Sequence, residues 1–234
     1  MTMTPYIFLS SNYLKYTQDS NADPIDVRSL SVELPYSVDI YLQDMYGEIV
    51  NRALDTLVLQ DTNVKNMTVE AANGAGVFST LFSVSNNTQS DVFIKNANVT
   101  NASLLRISIP DDGVNPATVT IGKMGFYGFL CNLYALTDSN YKIEANEGNF
   151  RVLSGAYIHW ADYKKWVGKI KMENLPQEQF DLLTEQADFG EMTVVPYKDL
   201  EAGGVYECAA NREYSYGLDR KTGLFNLELE LQEL

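Results

Sequence analysis

The sequence predicts a mainly β protein, with an N-terminal antiparallel β-sandwich or jelly roll and a smaller β-rich C-terminal domain that contains one helix. Three observations lead to this prediction. Short runs of β-branched and aromatic residues recur at intervals of about ten residues between residues 30 and 130. Clusters of Gly, Asn, Asp and Pro bound these runs. No stretch there keeps apolar residues at helical spacing for three turns, so low helical content is expected.

Turn-forming clusters suggest three segments. Residues 1–24 are expected to form an extended N-terminal arm, because aromatic residues and turn formers alternate there and Asn21-Ala-Asp-Pro24 ends the stretch. The sandwich is expected over residues 25–144 and the C-terminal domain over residues 145–234. The boundary between these two follows the polar cluster Thr137-Asp-Ser-Asn140.

The strands of the sandwich are predicted from alternation of apolar and polar residues. Leu30–Leu34 and Tyr36–Leu42 alternate with a period of two, which is typical of strands with one buried face. Further strands are expected at Leu57–Leu59, Asn66–Glu70, Val77–Val84, Asp91–Lys95, Leu104–Ile109 and Thr118–Ile121.

The C-terminal domain contains the strongest local signals. Trp166–Met172 alternates with lysine on its polar side, as expected of a strand. A helix is predicted from Pro176 to a stop at Gly190. The chain then ends in a predicted hairpin in which Gly223 takes a positive φ. Its last strand places leucines inward and Glu228 and Glu230 outward, where they are expected to protect a sheet edge.

The net charge and the length of the apolar stretches disfavour two classes of partner. There are 31 acidic and 17 basic residues, a formal net charge of −14, which repels phosphate backbones. No apolar stretch approaches the roughly 20 residues that a membrane-spanning helix needs. The N-terminus has no basic segment followed by an apolar run, so export by a signal peptide is not predicted. We therefore expect no nucleic-acid partner and no membrane insertion.

The residues that usually carry catalysis are scarce. His159 is the only histidine, and no Ser or Cys nucleophile motif accompanies it. Cys131 and Cys208 are expected to be buried free thiols, as in a protein folded in a reducing cytoplasm. We predict no catalytic residue, no metal ligand and no cofactor.

Several short motifs have simpler structural interpretations. Gly74-Ala-Gly76 and Gly122–Gly128 lie between strand-like runs, so close backbone approach or a bulge is favoured over a phosphate-binding loop. Asp111-Asp-Gly113 lacks the full spacing of a calcium loop and is interpreted as a turn. Four glycosylation sequons are interpreted as polar strands and turns, because no export signal is present. They begin at Asn66, Asn86, Asn98 and Asn101.

Two groups of aromatic residues are the candidate binding residues. The arm and the patch after residue 156 are expected to supply contact anchors, because aromatic side chains dominate interface energetics. A stacking platform for a sugar ring and a role of Trp160 and Trp166 in the core of the second domain are alternatives for the patch. The candidates are Tyr6, Phe8, Tyr13, Tyr16, Tyr157, Trp160 and Tyr163.

Three segments of the C-terminal part carry a resemblance. Trp166-Val-Gly-Lys-Ile170, Leu175–Phe180 and Tyr216–Glu230 form an ending that resembles tail-associated structural proteins of tailed bacteriophages and prophages. The first domain resembles the galactose-binding jelly roll in the rhythm of its strands. The resemblance implies a non-enzymatic virion component of the tail, baseplate or neck, made in the cytoplasm of a bacterial host. Its partners would be copies of itself and other virion proteins in a symmetric assembly.

Two alternatives remain open for the function. The first is a carbohydrate-binding module that attaches a virion or a cell to surface glycan through loops of the sandwich. The second is an enzyme that cleaves polysaccharide, which requires two carboxylates at a defined separation. The 31 acidic residues offer no preferred pair.

Overall fold

The computed structural model describes residues 4–10, 12–15, 17–19, 29–44, 46–72, 76–135, 140–151, 157–196, 205–211 and 214–234. Over residues 131–166 it describes strands but no side chains. The strands are β1 (Thr4–Leu9), β2 (Thr17–Asp19), β3 (Leu30–Glu33), β4 (Tyr36–Leu42), β5 (Arg52–Thr62), β6 (Met67–Ala72), β7 (Ser79–Val84), β8 (Val92–Ala102), β9 (Leu104–Ile109), β10 (Thr118–Tyr127), β11 (Phe129–Ala135), β12 (Asn140–Arg151), β13 (Tyr157–Leu175), β14 (Glu191–Pro196), β15 (Tyr206–Ala210), β16 (Ser215–Asp219) and β17 (Leu224–Glu233). A 3₁₀ turn spans Tyr13–Lys15, and helix α1 spans Gln177–Phe189.

The chain divides into two compact units, which we call the sandwich unit and the sheet unit. The sandwich unit is built from Leu9–Phe129, and the sheet unit from the strands before Leu9 and after Phe129. This division differs from the predicted arm and from the boundary predicted near residue 145. Strand β1 belongs to the eight-stranded sheet, and β12 pairs with β13 along its whole length, so both lie in the sheet unit. Local turn signals do not reveal such long-range pairing.

The sandwich unit has two antiparallel sheets, as the sequence predicted. One sheet has the strand order β2-β4-β9-β6-β7, and the other has the order β3-β10-β5-β8. Their inner faces share one apolar cluster. The rings of Phe82 on β7 and Phe126 on β10 lie 6.0 Å apart across it. The alternating residues of both sheets therefore fill a common core, which confirms the prediction of a mainly β fold with a sandwich.

The sheet unit is an eight-stranded sheet covered by α1. The order is β11-β1-β14-β15-β17-β13-β12, and β16 pairs with β17 alone among the described strands. Helix α1 follows Pro176 and ends at Gly190, which has φ 87° and donates its N–H to the carbonyl of Ala187 at 2.8 Å. Leu183 and Ala187 are completely buried. The predicted helix and its end at Gly190 are thus confirmed, whereas Pro176 precedes the first helical residue, Gln177, instead of occupying that position.

The C-terminal hairpin is also confirmed, with one correction. Gly223 has φ 70° and donates its N–H to the carbonyl of Asp219 at 2.8 Å. However, β17 lies inside the sheet, between β13 on one side and β15 and β16 on the other. Glu228 and Glu230 therefore do not protect an edge. Their carboxylates form ion pairs with Lys169 of β13 on the polar face of the sheet. The Nζ of Lys169 lies 2.6 Å from Oε1 of Glu228 and 3.2 Å from Oε1 of Glu230.

Candidate functional site

The five-stranded sheet of the sandwich presents a continuous outer face. Its strands alternate between buried and accessible residues, as in Leu105, Ile107 and Ile109 against Arg106 and Ser108 on β9. Residues that pair directly across strands lie on the same face, so the register places the accessible residues in rows. We define the outer face by Ser37, Asp39, Thr68, Glu70, Thr80, Ser83, Arg106 and Ser108.

Four hydroxyl groups form the first row of the outer face. Ser37 pairs with Ser108, Ser108 with Thr68, and Thr68 with Ser83. The hydroxyl oxygens of Ser37 and Ser108 lie 3.3 Å apart. With neighbouring strands about 4.8 Å apart, the row spans roughly 14 Å. Each hydroxyl can donate and accept a hydrogen bond, so the row offers both to one extended ligand.

Arg106 occupies the centre of the second row. Its Nε and one terminal nitrogen donate to the two carboxylate oxygens of Asp39, each at 2.7 Å. Its guanidinium also lies over the ring of Phe78, 4.0 Å from the centroid. A bidentate pair and a stacked ring together fix the plane of the guanidinium. Arg106 is thereby preorganised on the sheet.

Two carboxylates surround this guanidinium. The hydrogen bond with Asp39 raises the pKa of Arg106, and Coulombic attraction to Asp39 and Glu70 acts in the same direction, against desolvation. Glu70 pairs with Arg106 in the register, on the side opposite Asp39. The row therefore holds a permanent cation between two carboxylates. It offers charge-assisted hydrogen bonds to a ligand.

Exposed apolar side chains lie on loops at one end of this sheet. Tyr46, in the β4–β5 connection, is 81% exposed, and Val77, before β7, is 75% exposed. The carboxylate of Asp44 accepts the N–H groups of Tyr46 and Glu48 at 2.8 Å and 3.0 Å. This Asx-type turn holds the backbone under Tyr46 in a defined conformation. The outer face thus passes from a row of hydroxyls to an apolar rim.

The loops at the opposite end of the sandwich are connected by amide and carboxylate side chains. The carboxylate of Asp112 accepts the N–H groups of Val114 and Asn115 and the side-chain amide of Asn66. These bonds, with that from Asn115 largest, lower the pKa of Asp112 to about 2. Gly113 has φ 74°, so the predicted turn is confirmed. Asn115 in turn accepts from Lys65 and Asn66, so this end is a self-satisfied structural network.

Among the predicted aromatic candidates, the structure describes the side chains of Phe8 and Tyr13, and neither is part of the outer face. Phe8 is completely buried in the core of the sheet unit, so its ring serves that core and is not accessible in this chain. Tyr13 packs partly buried against the sandwich core, beneath the guanidinium of Arg52 at 5.3 Å. The side chains of Tyr6, Tyr16, Tyr157, Trp160 and Tyr163 lie outside the described part of the chain. Their proposed role in binding stays a prediction.

The other motifs are placed as follows. Gly122 and Gly125 lie inside β10, where a Cβ on Gly125 would meet the ring of Tyr127, so this glycine-rich segment is a strand and not a phosphate loop. Cys208 is buried, as predicted, and its thiol donates a hydrogen bond to the carbonyl oxygen of Tyr206 at 3.5 Å. The side chains of Cys131 and His159 lie outside the described residues.

Two further observations concern metals and membranes. Among the described residues, no three His, Cys, Asp or Glu side chains are grouped so that they can hold a metal ion. Within the same part of the chain, no helix is long and apolar enough to cross a membrane.

The comparisons with known proteins give structural matches only. No protein-family model matches the sequence, and no curated protein matches it. Solved structures that match include the family 32 carbohydrate-binding module of EndoD from Streptococcus pneumoniae, with 15% identity and a TM-score of 0.40 over 50% of this chain and 99% of that one. The family 32 module of NanJ from Clostridium perfringens, solved with galactose, matches with 13% identity and a TM-score of 0.39 over 51% and 99% of the two chains.

Proposed function

We propose that this chain is a non-catalytic binding protein whose outer face recognises carbohydrate. The observation that carries the proposal is the fixed Arg106–Asp39 pair, stacked on Phe78 and placed next to a row of hydroxyls. Attachment to surface glycan was the alternative function derived from the sequence. The outer-face residues that support this function are not the aromatic residues that the sequence predicts as glycan contacts.

The chemistry of the outer face matches that of a polyhydroxylated ligand. Sugar hydroxyls donate and accept hydrogen bonds, and charged partners such as Asp39 and Arg106 strengthen those bonds. Because both side chains are already held by each other, they lose little conformational freedom when a ligand binds. The row that begins at Ser37 and ends at Ser83 continues the polar surface across four strands. An extended glycan can therefore make several contacts without rearrangement of the sheet.

A glycan array followed by titration calorimetry tests this proposal. We expect saturable binding by the wild-type chain and at least about tenfold weaker binding by Arg106→Ala, since a charged partner is lost. Ser108→Ala should weaken binding by about two- to tenfold, the usual range for one neutral hydrogen bond. Thr120→Ala is the matched control, because Thr120 is an exposed strand residue of the other sheet. Equal binding by all four proteins would overturn the assignment of the face.

We also propose, as a second candidate, the structural role in a virion that the resemblance to phage tail proteins implies. The observation that favours it is Tyr46, an exposed aromatic side chain on a turn fixed by Asp44. Rigid exposed tyrosines are frequent anchors of protein interfaces. Mass spectrometry of purified tailed particles tests this role. Several copies of the chain per particle would support it, and its absence from the particles would overturn it.

A further inference from the structure

The outer edge of the sheet unit at β16 is open. All five residues of Ser215–Asp219 are exposed, and among the described strands β16 pairs only with β17. An exposed edge strand can pair with another strand through its free backbone groups. Natural edges are usually blocked by proline, by lysine or by a bulge. The sequence of β16, Ser-Tyr-Gly-Leu-Asp, contains no proline and no lysine, and its one charged residue, Asp219, stands at the end of the strand. Its pairing with β17 has no register shift.

Two exposed apolar side chains lie on this edge. Tyr216 is 65% exposed and Leu218 is 51% exposed. They pair with Leu227 and Phe225 of β17, so they lie on the face of the sheet that α1 covers. The ring of Phe180 on α1 lies 5.4 Å from that of Tyr216. The apolar face of the sheet therefore continues to its edge, where more than half of each of these two residues stays exposed.

We propose that β16 pairs with β16 of a second copy of this chain, antiparallel and with the two-fold axis at Gly217. The pattern of the strand is self-complementary in this register. Tyr216 of each copy faces Leu218 of the other. The same pair therefore forms on both sides of the axis, and each of the four exposed apolar side chains gains a partner. Asp219 faces Ser215, and no two like charges are opposed along the strand. The two sheets then continue into one, with α1 of both copies on the same face.

Gly217 fits the centre of this contact. A Cβ at this position meets no atom within 4 Å, so the space above the strand is open. Across the axis the two Gly217 residues would be directly opposite, with their Cα atoms about 4.5–5.5 Å apart. The two Ser215 residues would be about 14 Å apart, since four strand residues separate them along the edge. This difference allows the register to be tested independently of affinity.

Light scattering and disulfide trapping test the proposal. At about 100 μM we expect the wild-type chain to be a dimer, and Leu218→Lys to raise the dimer dissociation constant at least about tenfold. Val99→Lys, which places the same charge on an exposed site of the sandwich unit, should leave the constant unchanged. A monomeric wild-type chain, or a dimer that Leu218→Lys does not weaken, would overturn the proposal.

The trapping experiment compares two cysteine variants under the same mild oxidation. Gly217→Cys should form a covalent dimer, because its Cα separation lies within the range of a disulfide. Ser215→Cys should not, and the wild-type chain reports any dimer formed through Cys131 or Cys208. Addition of Leu218→Lys to Gly217→Cys should reduce the covalent product. Equal yields from Gly217→Cys and Ser215→Cys would show that the register is wrong.

Discussion

Arg106 and Asp39 lie 67 residues apart in the sequence, yet they form a bidentate ion pair in which both N–O distances are 2.7 Å. The register of β4 with β9 places the two residues directly opposite each other on the outer face. Phe78 covers the guanidinium from the β6–β7 connection. Three separate segments thus hold one polar group in a fixed orientation.

The geometry of this pair predicts that lysine cannot replace Arg106. A lysine keeps the positive charge but has no planar fork for two carboxylate oxygens and no flat surface for Phe78. We expect Arg106→Lys to retain the fold, as judged by circular dichroism, and to weaken glycan binding nearly as much as Arg106→Ala. Binding close to that of the wild type would show that charge alone is sufficient and that the stacked, bidentate geometry is not used.

The burial of Phe8 predicts that it contributes to stability. Phe8→Ala should lower the free energy of unfolding by about 3–5 kcal/mol, because it removes a large side chain from a closed core. Tyr46→Ala is the comparison, since an exposed tyrosine should change the free energy by about 0.5 kcal/mol or less. Chemical denaturation followed by tryptophan fluorescence measures both. A neutral Phe8→Ala would mean that the ring is not part of the core.

Gly190 and Gly217 form a matched pair for a test of backbone conformation. Gly190 has φ 87° at the end of α1, where an L side chain costs about 1–2 kcal/mol. Gly217 has no positive φ and open space for a Cβ. Gly190→Ala should therefore destabilise the chain, whereas Gly217→Ala should have little effect or be slightly stabilising. Thermal unfolding of the two variants separates the outcomes, and equal melting temperatures would contradict the assigned helix end.

The lowered pKa of Asp112 predicts that the sandwich unit loses stability in acid. Its pKa in the folded chain is about 2, below the ordinary value of 3.8, because three hydrogen-bond donors favour its charged form. The unfolded chain binds the proton more readily, so this contribution is complete above about pH 4 and is lost as the pH falls toward 2. Asp112→Asn should flatten the dependence of melting temperature on pH in that window.

A second variant, Asn66→Ala, should give an intermediate dependence of melting temperature on pH. Asn66→Ala removes the side-chain donor but keeps the two backbone donors of Asp112. Its slope between pH 4 and pH 2 should fall between those of the wild type and Asp112→Asn. If all three slopes were the same, the hydrogen bonds in this loop would not be the cause of the lowered pKa.

The sequence predicted the features that depend on neighbouring residues. Helix α1 and the hairpin around Gly223 were predictable because their start and stop signals lie within a few residues of one another. The turn at Asp112 was predictable for the same reason. The strand Leu104–Ile109 was predictable from its apolar run and from the turn cluster that follows it.

Features that depend on strand order were not accessible in this way. Strand β1 is adjacent to β11 and β14, more than a hundred residues later in the chain, and the aromatic residues and turn formers of the extended N-terminal arm do not reveal this pairing. Glu228 looked like edge protection until β17 was placed inside the sheet. The outer face required the registers of four strands, which alternation within each strand cannot supply. The candidates predicted from the sequence were therefore aromatic residues and not the residues of the outer face.

Mapping of a glycan onto the protein by amide chemical shifts tests the central claim most directly. A glycan selected on the array is titrated into ¹⁵N-labelled protein, with Arg106→Ala measured alongside. We predict that the largest shifts cluster at Ser37, Thr68, Arg106 and Ser108 and disappear in the variant. Shifts confined to the loops around Asp112, to the sheet unit or to the aromatic patch at Tyr157–Trp166 would contradict the account.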